Sequence, residues 1–423
     1  MQKYNTYKES GIERVGEIPE HWEVMRMKYL TDIGNGKDHK GVWDNDGPYS
    51  ILGSGGEFGR ANEFLYDKPS VILGRKGTID KPMFIDEPFW AVDTAYFTMS
   101  KEYTDTKYLF YLCKTINFDL YKYGSAVPSV NQEELKEISF SIPPTKSEQT
   151  QIATYLDRKT TEIDQLIADK KGLVKLYKEE KTAVINQAVT KGINPDFKMK
   201  DSGIEWLGEI PEHWVTKPIK IVSSYFKGMA FKSQFFEDKG VPIIKASNIK
   251  KTTIKKISSF INLDNQLPEF ERVRLRTGDI IVSTVGSKPD VINSAVGQIA
   301  YIDEEFSKSY LNQNTICIRS QEDIKPKFLK YICLSNYMRS RINSIALWIA
   351  NQAYIEVEKL RETHIPIPIL EEQIDIIENI EEEHQVLDSK ISKAQKYIDL
   401  LTEYRTALIS EVVTGKVKVI DDI

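Results

Sequence analysis

The chain carries one phrase twice. Ser10-Gly11-Ile12-Glu13, followed by Gly16-Glu17-Ile18-Pro19-Glu20-His21-Trp22, returns as Ser202-Gly203-Ile204-Glu205 and Gly208-Glu209-Ile210-Pro211-Glu212-His213-Trp214, a constant shift of 192 residues from position 10 to position 202. Gly, Pro and Trp at one spacing in both copies make coincidence a poor explanation. Two copies are an internal duplication, whereas a solenoid needs about three repeats or more. The chain must fold one architecture twice. Two copies of one fold imply one task performed at two places on a pseudo-symmetric partner.

The match continues with a growing shift. Pro48-Tyr49 answers Pro242-Ile243 at 194, and Val71-Ile72-Leu73 before Gly77 answers Ile280-Ile281-Val282 before Gly286 at 209. Lys107–Cys113 answers Lys327–Cys333, and Asn131-Gln132 answers Asn351-Gln352, both at 220. Glu148-Gln149, Ile152, Thr182-Ala183, Ile185 and Val189-Thr190 answer Glu372-Gln373, Ile376, Thr406-Ala407, Ile409 and Val413-Thr414 at 224. Each copy is thus a fixed frame around a divergent centre, and the second centre holds the insertions.

The centres read as mixed structure. Pro69–Leu73, Tyr96–Thr98, Val241–Lys245, Ile280–Thr284 and Thr315–Ile318 are short β-branched and aromatic runs between turn residues, hence strands. Lys107–Lys114 and Lys327–Ser335 read as short helices. Ile142-Pro143-Pro144 and Ile365-Pro366-Ile367-Pro368 close the centres, since proline ends a preceding element. The expected class is α+β. The expected segments are 1–145, a first mixed domain with its N-terminal arm; 146–200, a helix and linker; 201–369, a second mixed domain; and 370–423, a C-terminal helix.

Both helical segments show a seven-residue period. In the second, Ile380, Leu387, Ala394, Leu401 and Leu408 form one series and Ile391, Ile398 and Val412 another, with His384 and Arg405 as polar breaks. In the first, Leu156, Ile163, Tyr177 and Val184 pair with Ile167, Val174 and Ala188, broken by Thr160, Lys170 and Lys181. This is coiled-coil patterning. At about 40 residues each, the helices would be about 60 Å long. Antiparallel packing of the two is expected, since a two-fold axis relating the copies runs them in opposite senses and puts the centres at opposite ends. The polar breaks are either seats for a partner helix or exposed positions. The acidic residues at 371–383 complement the dipole of a helix N-terminus or form a partner patch.

Bulk properties exclude several classes. The 423 residues are 41% hydrophobic and 28% charged, with a net charge of −5, an ordinary globular composition with room for two or three domains. No apolar run reaches the roughly 18–20 residues of a membrane span, and the polar Met1–Ser10 stretch is not expected to act as a secretory signal. Cys113, Cys317 and Cys333 are scattered in apolar settings, which reads as buried thiols of a reducing cytoplasm. The charge is uneven. Residues 23–141 hold 14 Lys and Arg against 18 Asp and Glu, a net −4, while residues 216–365 hold 23 against 15, a net +8. The basic segment is either solubility charge or a field that attracts a polyanion.

Catalytic motifs are absent. Asn194-Pro195-Asp196-Phe197 is similar to the signature of amino-methyltransferases, but it lies in a polar linker with no strand and Gly-rich turn beside it. Gly53-Ser54-Gly55-Gly56-Glu57-Phe58-Gly59 places Phe58 where dinucleotide spacing needs glycine, and Gly34-Asn35-Gly36-Lys37 lacks the hydroxyl residue of a phosphate loop. His21, His39, His213, His364 and His384 have no metal-ligand spacing. No catalytic and no metal-binding residue is expected.

The repeated Gly-Glu-Ile-Pro-Glu-His-Trp phrase, the Pro strip with Glu-Gln before a long helix, and the two-copy layout together resemble the specificity subunit of type I restriction–modification systems. The resemblance spans essentially the whole chain and is strongest in the frames. It implies two pseudo-symmetric mixed α/β target-recognition domains joined by two long antiparallel coiled-coil helices. Each domain would read half of a bipartite site on double-stranded DNA. The helices would set the gap and dock methyltransferase subunits, alongside restriction/translocase subunits. It also implies no cofactor on this chain, the S-adenosylmethionine, ATP and magnesium chemistry belonging to its partners. A methyltransferase or nuclease with divergent motifs, and a protein-binding coiled-coil scaffold, are the competing classes.

DNA readout needs cations on phosphates and polar groups at base edges. The first centre offers Lys37, Lys40, Arg60, Arg75, Lys76 and Thr78, with Arg75-Lys76-Gly77 expected on a tight loop at a strand end. The second offers Lys227, Lys232, Lys245, Asn248, Lys250, Lys251, Arg272, Arg274, Arg276 and Lys288. Lys250-Lys251 and Lys255-Lys256 flank a Thr-rich stretch. Arg272, Arg274 and Arg276 would share one face of an extended segment.

Overall fold

The computed structural model describes residues 2–124, 126–250, 252–262, 267–286, 296–349 and 352–419. It divides into two compact units, Met1–Gly172 with Ala394–Ile423, and Leu173–Lys393. Each unit holds a mixed domain and one end of each of two long helices, Lys146–Lys191 and Leu370–Val413.

The first unit is built on a four-stranded antiparallel sheet in the order Thr31–Asn35, Ala95–Ser100, Ser70–Gly74, Met83–Ile85. The run from Ser70 to Gly74 is buried throughout because both of its faces are covered. Val71 and Leu73 pack toward the helix Thr106–Cys113, and Ile72 packs on the other face with Phe89 and Phe97. That helix starts at Asp105, whose carboxylate accepts from the Tyr108 N–H at 2.8 Å, a capping role Asp fills well. A second sheet sets Tyr49–Gly53 antiparallel to Gly56–Ala61 and parallel to Phe89–Ala91.

The second unit repeats the topology. Its sheet runs Ser223–Lys227, Thr315–Ser320, Ile280–Ser283, Ile299–Tyr301. The register assigns equivalent residues. Phe97 lies opposite Gly34 and Ile72, and Cys317 lies opposite Phe226 and Ile281. Position 34 therefore answers 226 at 192, 72 answers 281 at 209 and 97 answers 317 at 220, so the shift of 209 is a true structural match. Glycine is required where the backbone closes on itself after the first strand. A Cβ on Gly36 would stand 1.9 Å from the Val92 carbonyl oxygen, and one on Gly228 equally 1.9 Å from that of Asn312.

Two sequence matches are corrected by the register. Trp90-Ala91 lie beside Ile51-Leu52, and Tyr310-Leu311 beside Ile243-Ile244, so the shift there is 192, and Pro48-Tyr49 does not answer Pro242-Ile243. Two prolines two residues out of step had mimicked a match. Val130 donates to the Arg75 carbonyl and Ile355 to that of Thr284, a shift of 225. Asn131 is then the counterpart of Glu356, each preceding a short helix, Gln132–Glu137 and Val357–Arg361. Gln352 begins a strand instead, and Asn351 lies outside the described residues.

The insertions fall in three places, the shortest being 5 residues between Cys113 and Val130, the step from 220 to 225. Between Leu52 and Ser70 the second unit gains 17 residues, the step from 192 to 209, and these include the 3-10 helix Pro268–Val273. Between Gly77 and Trp90 it gains 11, the step from 209 to 220.

In each unit the long helices pack on each other in opposite senses. In the first, Arg405 donates to Asp164 at 2.9 Å and the Lys170 ammonium sits 5.6 Å from the Tyr397 ring centre, so numbers rise on one helix as they fall on the other. Leu156 and Ile163 are buried there with Leu408, Ile409 and Val412. In the second, Lys181 reaches Asp388 at 2.7 Å and Lys390 covers the Tyr177 ring at 5.5 Å. Ile185, Ala188 and Val189 are buried with Ile376, Ile377 and Ile380. The polar breaks have partners inside their own unit. His384 Nε2 lies 3.0 Å from the Lys181 carbonyl oxygen, and burial holds its pKa below the usual histidine value. Thr160 is buried against the Tyr111 hydroxyl at 3.2 Å.

Candidate nucleic-acid interface

The repeated phrase is a clasp on the start of each long helix. The Trp22 indole Nε1 donates to Glu148 at 2.9 Å, His21 Nε2 lies 3.2 Å from the same carboxylate, and Tyr4 donates at 3.3 Å. Burial and the Glu148 charge hold the Tyr4 phenol well above its usual range, so it stays a donor. In the second unit Trp214 and His213 both meet Glu372 at 2.9 Å. The neighbouring glutamine completes the clasp. Gln149 accepts from the Asp105 N–H at 2.9 Å and donates to the Pro143 carbonyl at 3.2 Å. Gln373 accepts from the Lys325 N–H at 2.8 Å and donates to the Pro368 carbonyl at 3.0 Å. Each mixed domain is thereby tied to its helix by buried, satisfied polar groups, the arrangement that gives such groups value in a core. Sequence alone gave the repeat of His-Trp and of Glu-Gln; it carried no sign that they touch.

In the first unit the expected cations divide. Lys37, Lys40 and Lys76 are exposed, and no ion pair holds their ammonium groups among the described residues. Arg75-Lys76-Gly77 is the expected tight loop after Ser70–Gly74, with Gly77 at φ +84° and its N–H donating to the Pro128 carbonyl at 2.8 Å. Arg75 is half-buried with its guanidinium 5.8 Å from the Tyr96 ring centre, and Thr78 is half-buried beside it. Arg60 is committed inside the domain, donating to the Gly47 carbonyl at 3.0 Å, the Pro48 carbonyl at 2.7 Å and the Ser50 hydroxyl at 3.0 Å. It holds a turn and also pairs with Glu57 at 3.4 Å, so its half-exposed guanidinium is already engaged within the domain.

In the second unit Lys227, Lys232, Lys250, Arg272 and Arg276 are exposed. Lys245 is half-buried, donating to the Ser259 hydroxyl at 2.6 Å over the Phe236 ring. Asn248 is buried and cannot meet a base edge. Its Oδ1 accepts from the Lys245 N–H at 2.8 Å and its Nδ2 donates to the Lys256 carbonyl at 2.9 Å. It positions the exposed Lys255 and Lys256, the latter held at φ +55°, a costly conformation for a side chain other than glycine. The arginine triplet is not one extended face. Arg272 ends the 3-10 helix Pro268–Val273, and Arg274 pairs with Glu271 at 2.9 Å and donates to the Tyr310 hydroxyl at 2.8 Å. Pro268 at the helix start favours this turn over a strand. Lys251 and Lys288 lie outside the described residues.

One exposed group has no signature in the sequence pattern. His39, Trp43 and Phe58 gather their rings at 5.4–6.1 Å on the surface of the first unit. Among the described residues no three of His, Cys, Asp and Glu come together to hold a metal ion, and no helix is long and apolar enough to cross a membrane.

A mount repeated twice, carrying two unlike faces, defines a two-headed recognition protein. The family described as "Type I restriction modification DNA specificity domain" matches residues 19–175 and 211–397. The chain belongs to this family of type I restriction–modification specificity subunits. It is 25% identical to the type I restriction enzyme MjaVIII specificity subunit of Methanocaldococcus jannaschii, over 98% of this chain and 97% of that one. To the EcoKI specificity subunit of Escherichia coli it is 26% identical over 49% of this chain and 44% of that one. Its fold is similar to a chain solved in a study of complex assembly and conformational transition of the type I R-M system, with a TM-score of 0.71 at 12% identity, covering 95% and 99% of the two chains. The HsdS subunit from Thermoanaerobacter tengcongensis gives a TM-score of 0.53 at 13% identity, covering 95% and 98%.

Proposed function

We propose that the chain is a non-catalytic, cytoplasmic DNA-recognition subunit in which each mixed domain reads one half of a bipartite site on duplex DNA. The long helices set the gap and dock methyltransferase subunits, with restriction/translocase subunits joining the assembly. S-adenosylmethionine, ATP and magnesium act on those partners. The observation that carries this reading is the contrast between frame and face. Sheet order, clasp and helix packing repeat, while the 17- and 11-residue insertions and the exposed cations differ between units. Exposed Lys37, Lys40 and Lys76 in one unit, and Lys227, Lys232, Lys250, Lys255, Lys256, Arg272 and Arg276 in the other, supply phosphate contacts. Lys245, Arg75, Thr78 and Arg274 border them.

The test is a map of methylated sites in a genome expressing this chain with its methyltransferase partners. A bipartite motif with a fixed gap is expected, and exchanging residues 23–141 should change one half of it only. Methylation or cleavage by the isolated chain would overturn the reading, as would a continuous motif.

A further inference from the structure

We propose that His39, Trp43 and Phe58 form the base-contacting face of the first recognition unit, meeting the apolar edges of bases, thymine methyl groups above all, in the major groove. This rests on the DNA-recognition reading above and assigns residues to it.

The cluster is built and exposed. Trp43 is 43% exposed and Phe58 49%, their ring centres 6.1 Å apart, with His39 5.6 Å from Trp43 and 5.4 Å from Phe58. The Trp43 ring lies flat on Gly59, where a Cβ would stand 2.5 Å from it, and its Nε1 donates to Asn45 at 3.0 Å. Its orientation is therefore fixed before any ligand arrives, which lowers the entropy lost on binding.

The second unit shows what these positions become when covered. At the constant shift of 192, His39 answers Phe231 and Trp43 answers Phe235. Both phenyl rings pack on Phe270, at 5.2 and 5.7 Å, and Phe270 is 1% exposed. Phe270 belongs to the 17-residue insertion that the first unit lacks. The first unit has kept the aromatic positions without the segment that buries them, and a clustered aromatic surface of this kind marks a binding site.

The surroundings select the partner. Residues 23–141 are net acidic, and exposed Lys37 and Lys40 adjoin the cluster on its own segment, with Asp38 between them 3.9 Å from His39 and Glu57 paired with Arg60. On the other side a Cβ on Gly53 would stand 3.3 Å from the Phe58 ring, and one on Gly77 3.3 Å from Ser54 Oγ. Phe58, the Ser54 turn and the Arg75-Lys76-Gly77 loop thus form one continuous surface. An apolar centre between two groups of cations matches a duplex, whose phosphates line the groove and whose base edges, with the thymine methyl, form its floor. Stable aromatic contact also gives this acidic unit a means of binding that does not depend on net charge.

Full chain assembled with its methyltransferase subunits is titrated over a salt series with a duplex carrying the mapped motif. The variants are Trp43→Ala, Phe58→Ala, Trp43→Phe and Lys37→Ala/Lys40→Ala. Each aromatic-to-Ala change should weaken binding about tenfold or more with an unchanged salt slope, and Trp43→Phe should restore most of it. The lysine pair should reduce the slope by about two. Replacing thymine by uracil in the first half-site should weaken the wild type and leave Trp43→Ala unaffected. Melting curves separate loss of fold from loss of contact, and if Trp43→Ala unfolds, Phe58→Ala and Trp43→Phe decide. Unchanged DNA binding in the folded Ala variants, or indifference to every uracil exchange, overturns the proposal. So does loss of methyltransferase-subunit binding in those variants, which would make this face a protein contact. Failure of the wild-type complex to bind any bipartite duplex would instead strike the functional reading itself.

Discussion

Phe97 covers Gly34 across the sheet: a Cβ on Gly34 would stand 2.3 Å from the phenyl ring that lies opposite it. In the second unit the sizes are exchanged, with Phe226 at the glycine's position and Cys317 at the phenylalanine's. One cross-strand space holds one large side chain, supplied from either strand. Glycine on this edge strand leaves backbone open, and the opposite aromatic ring closes it.

Gly34→Ala should therefore cost about 1–3 kcal/mol, the usual effect of overpacking. Gly34→Phe alone should be worse, and Phe97→Cys should rescue it, because the double variant rebuilds the second unit's pairing. Urea unfolding of the four members of the cycle measures the coupling. Additive effects would sink the exchange argument.

Glu148 is the acceptor for a fully buried indole N–H. Glu148→Ala should cost about 1–3 kcal/mol by leaving that donor unsatisfied, and Glu148→Gln should cost less because an oxygen remains. Glu372→Ala should do the same through Trp214. The check is the denaturation midpoint, with near-equal losses at the two sites expected from their near-identical geometry.

Arg60 and Lys76 are both candidate phosphate contacts by residue type, with Lys76 favoured by its place on the expected loop, and the structure gives them different surroundings. Arg60→Ala removes donors from two carbonyls and a hydroxyl and should lower stability by about 1–2 kcal/mol, with the salt dependence of DNA binding unchanged. Lys76→Ala should leave stability within about 0.5 kcal/mol and reduce the salt slope by about one. Melting and salt-series titration on the same two variants decide it.

Cys113 and Cys333 occupy equivalent helix positions, and burial pushes both thiols up to about 12 from an ordinary value of 9.0. The folded state therefore keeps a proton that the unfolded chain releases. Stability from this source is complete below pH 9 and is lost as pH rises from 9 through 12. A Cys113→Ala/Cys333→Ala variant should lose stability less steeply over that window. At pH 8 neither thiol should react with an alkylating reagent until the chain unfolds.

The sequence was most legible where the pattern is local or repeated. The run Ser70–Gly74 and the helix Pro326–Leu334 lie within one or two residues of their expected positions. The strand Gly56–Ala61 was missed because Gly56, Gly59 and Arg60 weaken any strand pattern. The helix Asn336–Ile345 was missed because Asn336, Ser340, Asn343 and Ser344 are weak helix formers, though Ser335 caps it by accepting from Met338. At the site, exposure and engagement could not be read from residue type: Asn248 carries the chemistry of a base contact yet is buried, and Arg60 that of a phosphate contact yet is engaged by the Gly47–Ser50 turn.

The sequence by itself determined that one frame is built twice, that two heptad-patterned helices follow, and that the centres differ in length and charge, because those properties reside in spacing and composition. Only the tertiary structure decided which positions correspond, which cations face solvent and that Trp43 stands uncovered where Phe235 is packed. Those outcomes depend on residues far apart in the chain meeting across a sheet, and on a 17-residue insertion that covers one face and has no counterpart on the other.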